Sequence, residues 1–226
     1  MSVPVAPLAE PARCYPLLMF EVLTGAGLAA AAGLNAYIPL LAIGLLSRFT
    51  DLVSLPAGWA WLENGWVQII LAVLLVIEVI ADKIPAVDTV NDWIQTIVRP
   101  AAGGIVFGSG TAAQTATVTD PAKFFTSNAW VPIVIGVLLA LTVHVGKTAV
   151  RPAANLATAG FAAPVLSTLE DIFSAVMSVV ALLLPILVIV GLAGLVAGAV
   201  GLTRRMRRRR GEAPPVPPVP PVPHTG

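Results

Sequence analysis

Charge is what this 226-residue sequence has least of. Asp, Glu, Lys and Arg together make up 11% of it, where soluble domains carry about 25%. So few charges cannot clothe a water-facing surface, which excludes a soluble globular enzyme, a nucleic-acid binder and a disordered chain. Cysteine is nearly absent. Cys14 stands alone, so no intrachain disulfide and no thiolate metal cluster can form. His144 and His224 are the two histidines, too few for an unaided histidine metal site. The sequence also lacks a GxxxxGK[ST] loop, an HExxH pair and a GxSxG elbow, the usual marks of phosphate binding, zinc hydrolysis and serine chemistry. No enzyme activity and no cofactor are expected. What is abundant is apolar: 57% hydrophobic residues and a mean hydropathy of +0.89. An integral membrane protein remains.

A helix needs about 20 apolar residues to cross a bilayer, with a range of roughly 17–25. Six segments approach this: 23–46, 66–81, 100–118, 130–146, 152–169 and 172–202. The last is too long for one straight crossing, and Pro185 offers a kink. The expected fold is therefore all-α, a polytopic membrane bundle of about six transmembrane helices. Residues 1–18 are proline-rich and lack a signal-peptide pattern. They read as a disordered leader, or as a start placed ahead of Met19. The membrane domain is 19–203, followed by a basic anchor, 204–210, and a Pro-rich tail, 211–226, of polyproline II character.

Orientation follows from Lys and Arg. With six spans and both termini cytoplasmic, eleven of the thirteen basic residues lie inside, and only Arg48 and Lys123 lie outside. Making 100–118 and 152–169 re-entrant gives ten against three. Six spans fit better. The net charge of +1 divides into −4 over residues 19–203 and +5 from Arg204 onward. Apparent neutrality is thus an acidic bundle offset by a cytoplasmic anchor. Arg204, Arg205, Arg207, Arg208, Arg209 and Arg210 are placed to hold anionic lipid headgroups. The expected partners are the bilayer and these headgroups, together with a second copy of the chain if it is a homo-oligomer. Nucleic acid is not expected.

One internal repeat stands out. Residues 64–79 align without gaps on 128–143, with eight of sixteen positions identical, including Asn64/Asn128 and Trp66/Trp130. Lys83 then matches Lys147, and RPAA recurs at 99–102 and 151–154. The pattern implies three tandem helical hairpins, with Trp66 and Trp130 at the outer interface. Gly25, Ala29 and Gly33, then Gly104, Gly108 and Ala112, form small-residue stripes suited to close helix packing, and Gly194 and Gly198 add to them. Between Asp82 and Arg99, Pro85 stops a helix and Asp88 is a candidate N-cap. Val90, Trp93, Ile94 and Ile97 then predict a short amphipathic helix lying on the cytoplasmic interface. The loop 51–65, with Trp59 and Trp61, is expected to rest on the outer face.

Ionisable groups at membrane depth are functional candidates, since burying charge in lipid is costly. Glu78 and Asp82 share a helix face at i, i+4, and His144, Lys147 and Arg151 share another at i, i+3, i+7. The repeat superposes these two helix ends, so an acidic group can oppose a basic one. Asn35, Lys83, Asp88 and Arg99 complete the candidate polar cluster. Asn155 lies on the fifth segment, and Glu170 and Asp171 fall at its outer end. The plainer expectation is that Asp82, Lys83, Lys147 and Arg151 snorkel at helix ends.

The motifs GLNAYIPLL (33–41), EVIADKIPAVDTVND (78–92) and RPAAGG (99–104) resemble a bacterial integral-membrane family catalogued as domain of unknown function 4126. The resemblance covers roughly 20–202. Glu78, Asp82, Lys83, Pro85, Asp88, Arg99 and Pro100 match the family's charged loop, and Asn35 its first-helix motif, where some members look to carry arginine. It implies a multi-pass protein of the bacterial cytoplasmic membrane and transfers no activity. Three functions compete. The first is a small transporter or channel for an ion or small solute, resting on the repeat and the charged pair. The second is a non-catalytic membrane scaffold or assembly factor acting through the basic, Pro-rich tail. An intramembrane enzyme comes last, for want of a nucleophile–base pair.

Overall fold

The computed structural model describes residues 11–110, 128, 130–158 and 162–211. Among them are seven α-helices and no strand: α1 (Pro11–Leu34), α2 (Tyr37–Phe49), α3 (Gly65–Ala81), α4 (Pro85–Gly110), α5 (Trp130–Ala157), α6 (Ala162–Leu183) and α7 (Val188–Gly211). Short 3-10 turns occupy Ala60–Glu63 and Pro185–Leu187. The fold is all-α, as expected, but its segments are cut differently.

The first apolar segment is two helices. Asn35 ends α1, and its side-chain oxygen accepts from the backbone N–H of Tyr37 and Ile38, at 3.0 and 3.3 Å, so it caps α2. Pro39 falls in the first turn of α2, where a missing N–H costs nothing, whereas a continuous helix would have clashed there. The sixth segment also divides. Pro185 ends α6, and the chain folds back rather than kinking. A Cβ on Gly27 of α1 would meet both Ala181 and Val188, and one on Gly191 would meet Met177. These pairs place α6 and α7 side by side and antiparallel.

Two further segments do not stand as separate helices. The expected amphipathic helix and the third segment are one rod, α4, which runs unbroken through Pro100. The fifth segment is shared between the end of α5, which continues through Pro152, and the start of α6. Residues 11–18, read as leader, are the first turns of α1.

Direction alternates along the chain. Gly103 of α4 faces Ala140 and Gly136 of α5, while Gly108 faces Ile133, so these two helices are antiparallel. Ser174 of α6 donates to the Ala31 carbonyl of α1, and Gly27 faces Ala181, which makes that pair antiparallel too. Gln68, near the start of α3, donates to Gly44 of α2 and to Leu62. Helices α1, α3, α5 and α7 thus run toward one end, and α2, α4 and α6 run away from it. Pro11 and Gly211 consequently lie at opposite ends of the bundle.

Helix α1 is the central post. Leu28 through Ala32 are wholly buried between α4, α5 and α6. The expected stripes are packing faces in part. Gly25 meets Phe107, Gly33 meets Ala140 and Val143, and Gly104 meets Val137, whereas Gly194 and Gly198 have no neighbour within 4 Å. Leu62 is also fully buried, with its carbonyl against Gly44, so the 51–65 loop is keyed into the bundle rather than resting on it. The repeat marks helix starts. The Asn64 side chain accepts from Trp66 N at 2.9 Å, and Asn128 adopts φ 56° before α5, a left-handed turn that asparagine tolerates. Asn64→Ala is expected to cost about 1 kcal/mol by loss of this cap, measured as a lower thermal midpoint in detergent.

Among the described residues two helices are long and apolar enough to cross a membrane, over Trp130–Pro152 and Ala163–Leu183. Outward-facing side chains are heavily apolar along α3, α4 and α6. Ile77, Ile80, Val90, Trp93, Ile97, Ile172 and Val176 are each more than half exposed.

Candidate functional site: a buried charge network

At the end toward which α1, α3, α5 and α7 run, the chain gathers nearly all its interior charge. The deepest pair is Glu78 of α3 and Arg99 of α4, with Oε1 and Nη2 2.8 Å apart and side chains 1% and 0% exposed. Arg99 reaches on to His144 Nδ1 on α5 at 3.2 Å. Guanidinium can only donate, so Nδ1 must accept and carries no proton. The proton therefore sits on Nε2, which donates to Thr96 Oγ1 at 3.1 Å. The threonine hydroxyl donates in turn to the Asp92 carbonyl at 2.8 Å. Geometry alone fixes His144 as the neutral Nε2–H tautomer while Arg99 is docked.

One turn nearer the rim, Asp82 Oδ2 lies 3.8 Å from Arg99 and 3.5 Å from Arg151, and its other oxygen accepts from Asn91 at 2.8 Å. Arg151 also grips Glu170 of α6 with two nitrogens, Nη2–Oε2 at 2.6 Å and Nε–Oε1 at 3.4 Å, the fork that guanidinium favours for carboxylates. Its Nη1 lies 4.0 Å from Asp92. Lys147 shares Glu170 Oε2 at 2.9 Å and donates to the Leu34 carbonyl at 3.3 Å. Lys83 binds Ser167 Oγ at 3.0 Å and lies 3.8 Å from Asp171, whose other oxygen accepts from Asn35 at 3.0 Å.

The α1–α2 turn is therefore held by the network. Lys147 takes the last carbonyl of α1, Ser174 takes Ala31, and Asn35 joins Asp171 to the first N–H groups of α2. Both free helix ends are met by side chains rather than by water. Some polar capacity is left over. Glu78 Oε2, Arg99 Nε, Gln95 Oε1 and Asp92 Oδ1 are buried without a partner among the described residues, room for a water or a further polar group at each. Among the described residues five carboxylates face four cations, so this part of the cluster is nearly self-neutral. Among the described residues no three metal-ligating side chains converge.

Of the residues singled out from sequence, Asn35, Glu78, Asp82, Lys83, Arg99, His144, Lys147 and Arg151 meet in this one network. The side chain of Asp88 lies outside the described residues, as do those of Asn155 and of Arg205, Arg207, Arg208, Arg209 and Arg210. Arg204 is exposed near the end of α7. Glu170 and Asp171 need correction. Expected at the outer end, they are central ligands of the network, because α6 begins at its rim instead of ending there. Snorkelling is also corrected for three residues. The side chains of Asp82, Lys147 and Arg151 are 3–4% exposed and point inward; Lys83 alone is partly open, at 33%.

Sequence reasoning missed Asp92 and Gln95. With Arg99 they fall at i, i+3 and i+7, one face of α4, and that spacing was available. The helix was expected to lie on the interface; this face points to the interior instead, while Trp93 and Ile97 point out. The two RPAA motifs supply Arg99 and Arg151 from non-equivalent helices, so their match is a convergence in space rather than a repeat of one hairpin end.

The sequence profile of a family described as domain of unknown function 4126 matches residues 22–205. No curated protein and no solved structure matches the chain.

Proposed function

The chain belongs to the domain of unknown function 4126 family, and from that premise we propose that it is a multi-pass protein of the bacterial cytoplasmic membrane that moves an ion or small solute. The outward apolar side chains of α3, α4 and α6 support the membrane location, since such faces are stable against lipid and not against water. Lys83, Arg99, Lys147, Arg151 and the arginine run in the last turns of α7 all gather at the network end. By the positive-inside rule that end faces the cytoplasm, and the start of α1 faces outward.

The observation that carries transport is the braced α1–α2 turn. Helix ends that meet inside a bundle beside buried ionisable groups are the arrangement by which carriers frame a site, and here the α1–α2 turn supplies two such ends; charge at membrane depth is rarely kept for stability alone. Glu78 does not face an open polar cavity; it is paired. Its role is therefore that of a latch rather than a free site. A proton on His144 Nδ1 repels Arg99, and Arg99 is what holds Glu78. Proton binding at one residue thus loosens the contacts among α3, α4 and α5, which is the coupling an alternating carrier needs.

In proteoliposomes, flux of protons, monovalent ions or small neutral solutes is expected for the native chain and is expected to vanish in Glu78→Gln. Well-folded protein that passes none of these overturns the reading. The scaffold alternative is separated by deleting residues 204–226: loss of partner recovery with no flux in the intact chain favours it.

A further inference from the structure

The bundle is not equally tall on all sides. At about 1.5 Å per residue, the apolar stretches Trp130–Pro152 of α5 and Ala163–Leu183 of α6, with 23 and 21 residues, measure about 35 and 32 Å. Either is enough for a hydrocarbon core of about 30 Å. With 17 residues α3 reaches about 26 Å, and with 13 residues α2 reaches about 20 Å. These two short helices are neighbours, since Gln68 of α3 donates to the Gly44 carbonyl of α2 at 2.9 Å. They form one flank, because α4, whose Arg99 reaches both Glu78 and His144, stands between α3 and α5. We propose that this flank gathers phospholipids of short acyl chain, and that the bilayer thins against it.

Polar groups close the apolar face at both ends, which fixes its height. Helix α3 turns Trp66, Ile70, Val73, Ile77 and Ile80 outward, each more than half exposed, and from the first to the last it rises about 21 Å. Ahead of Trp66, the exposed Arg48 side chain donates to the Glu63 carbonyl at 3.1 Å. Residues 50–64 hold only a short 3-10 turn, and irregular backbone of this kind needs headgroups or water for its N–H and C=O groups. Beyond Ile80 come Asp82 and Lys83, the latter one-third exposed. Lys83 donates to Ser167 at 3.0 Å, and α6 continues past that contact to Ala162, a further rise of about 8 Å. A long helix fits a thinner bilayer by tilting, but a short one cannot stretch. Tilting the whole bundle only shortens α3 along the membrane normal, so the mismatch falls on the lipid. Headgroups drawn inward there come level with Lys83, and the network meets the aqueous phase at the end of α3.

The proposal rests on the membrane location and not on transport. In a full-length Cys14→Ser chain, bimane is attached through Val73→Cys on α3 or Leu138→Cys on α5, both positions more than half exposed. Each labelled chain is reconstituted in mixtures of phosphatidylcholine with 14-carbon and 22-carbon monounsaturated chains, one or the other brominated, so that quenching reports which lipid lies beside the label. Beside α3 the 14-carbon lipid is expected to be enriched about fivefold over its share of the mixture, from a mismatch of several Å. Beside α5 no such enrichment is expected. Should the Val73→Cys chain not fold, Ile77→Cys, on the same exposed face, takes its place. Equal enrichment at the two helices, or none at α3, overturns the proposal and leaves the membrane location standing, because quenching still occurs. No quenching at either helix by either lipid overturns the membrane location, and the proposal with it.

Discussion

Arg99→Met is expected to destabilise the protein by about 3–5 kcal/mol, the usual consequence of leaving a buried charge without its partner. Arg99 is wholly buried and serves Glu78 at 2.8 Å, Asp82 at 3.8 Å and His144 at 3.2 Å. Removing it strands a carboxylate that is itself 1% exposed and leaves His144 without the donor that fixes its tautomer. The measurement is thermal unfolding of detergent-solubilised protein followed by circular dichroism. The informative companion is Glu78→Leu, Arg99→Met. A buried pair exchanged for apolar residues of similar volume is often neutral or stabilising, so the double variant is expected to recover most of the loss. If it recovers nothing, the guanidinium is held chiefly by Asp82 and His144, and Glu78 is not the latch. The same double variant separates stability from transport, because a carrier with a restored fold and no ionisable pair is expected to remain inactive.

The class of this fold was open to reading because it depends on averages. Low charge and long apolar runs pointed to an all-helical bundle, and the arginine run in the last turns of α7 marks which end carries positive charge. Helix boundaries depend on single residues instead. Asn35 and Pro39 divide one apolar run into two antiparallel helices, yet Pro100 and Pro152 interrupt nothing. The difference is position within the helix. Pro39 stands in a first turn, where no N–H is needed. Pro100 and Pro152 stand mid-rod, where neighbouring helices and side chains hold the helix together. No local rule separates these cases, because tertiary packing decides them.

The charged network was partly legible for a related reason. Residues that share a helix face announce themselves by spacing, as Glu78 with Asp82 and His144 with Lys147 and Arg151 did. Which way a face points is a separate question. In water the apolar face of an amphipathic helix turns inward; in this bundle α4 has Val90, Trp93 and Ile97 outside and Asp92, Gln95 and Arg99 inside. The inversion is what a lipid surround predicts, and applying the composition argument to α4 itself yields it. Glu170 and Asp171 were misplaced because 152–169 was drawn as a span of its own, whereas it is shared between the end of α5 and the start of α6, which sets both residues near the start of an outgoing helix.

Gly136→Ala is expected to destabilise by roughly 3 kcal/mol, at the upper end of what one inserted methyl costs in a packed interior. Helices α4 and α5 touch backbone to backbone here. A Cβ on Gly136 would meet the Gly103 carbonyl oxygen and lie 2.5 Å from Phe107 Cβ, and one on Gly103 would lie 2.7 Å from the Gly136 oxygen. Flexible side chains can move aside, but a carbonyl cannot move without its helix. Relief therefore requires α4 and α5 to part, and the Arg99–His144 contact spans that same pair. Loss of stability should accordingly be joined by loss of flux. Gly146→Ala, two to three turns further along the same helix, is the control. Nothing lies within 4 Å of its Cβ position, so the exchange keeps only the propensity term, a gain of up to about 1 kcal/mol. Thermal midpoints that move in opposite directions for these two substitutions would establish the α4–α5 contact. Equal shifts would mean that α4 and α5 do not meet at Gly103 and Gly136, and the path from His144 to Glu78 would have to be redrawn.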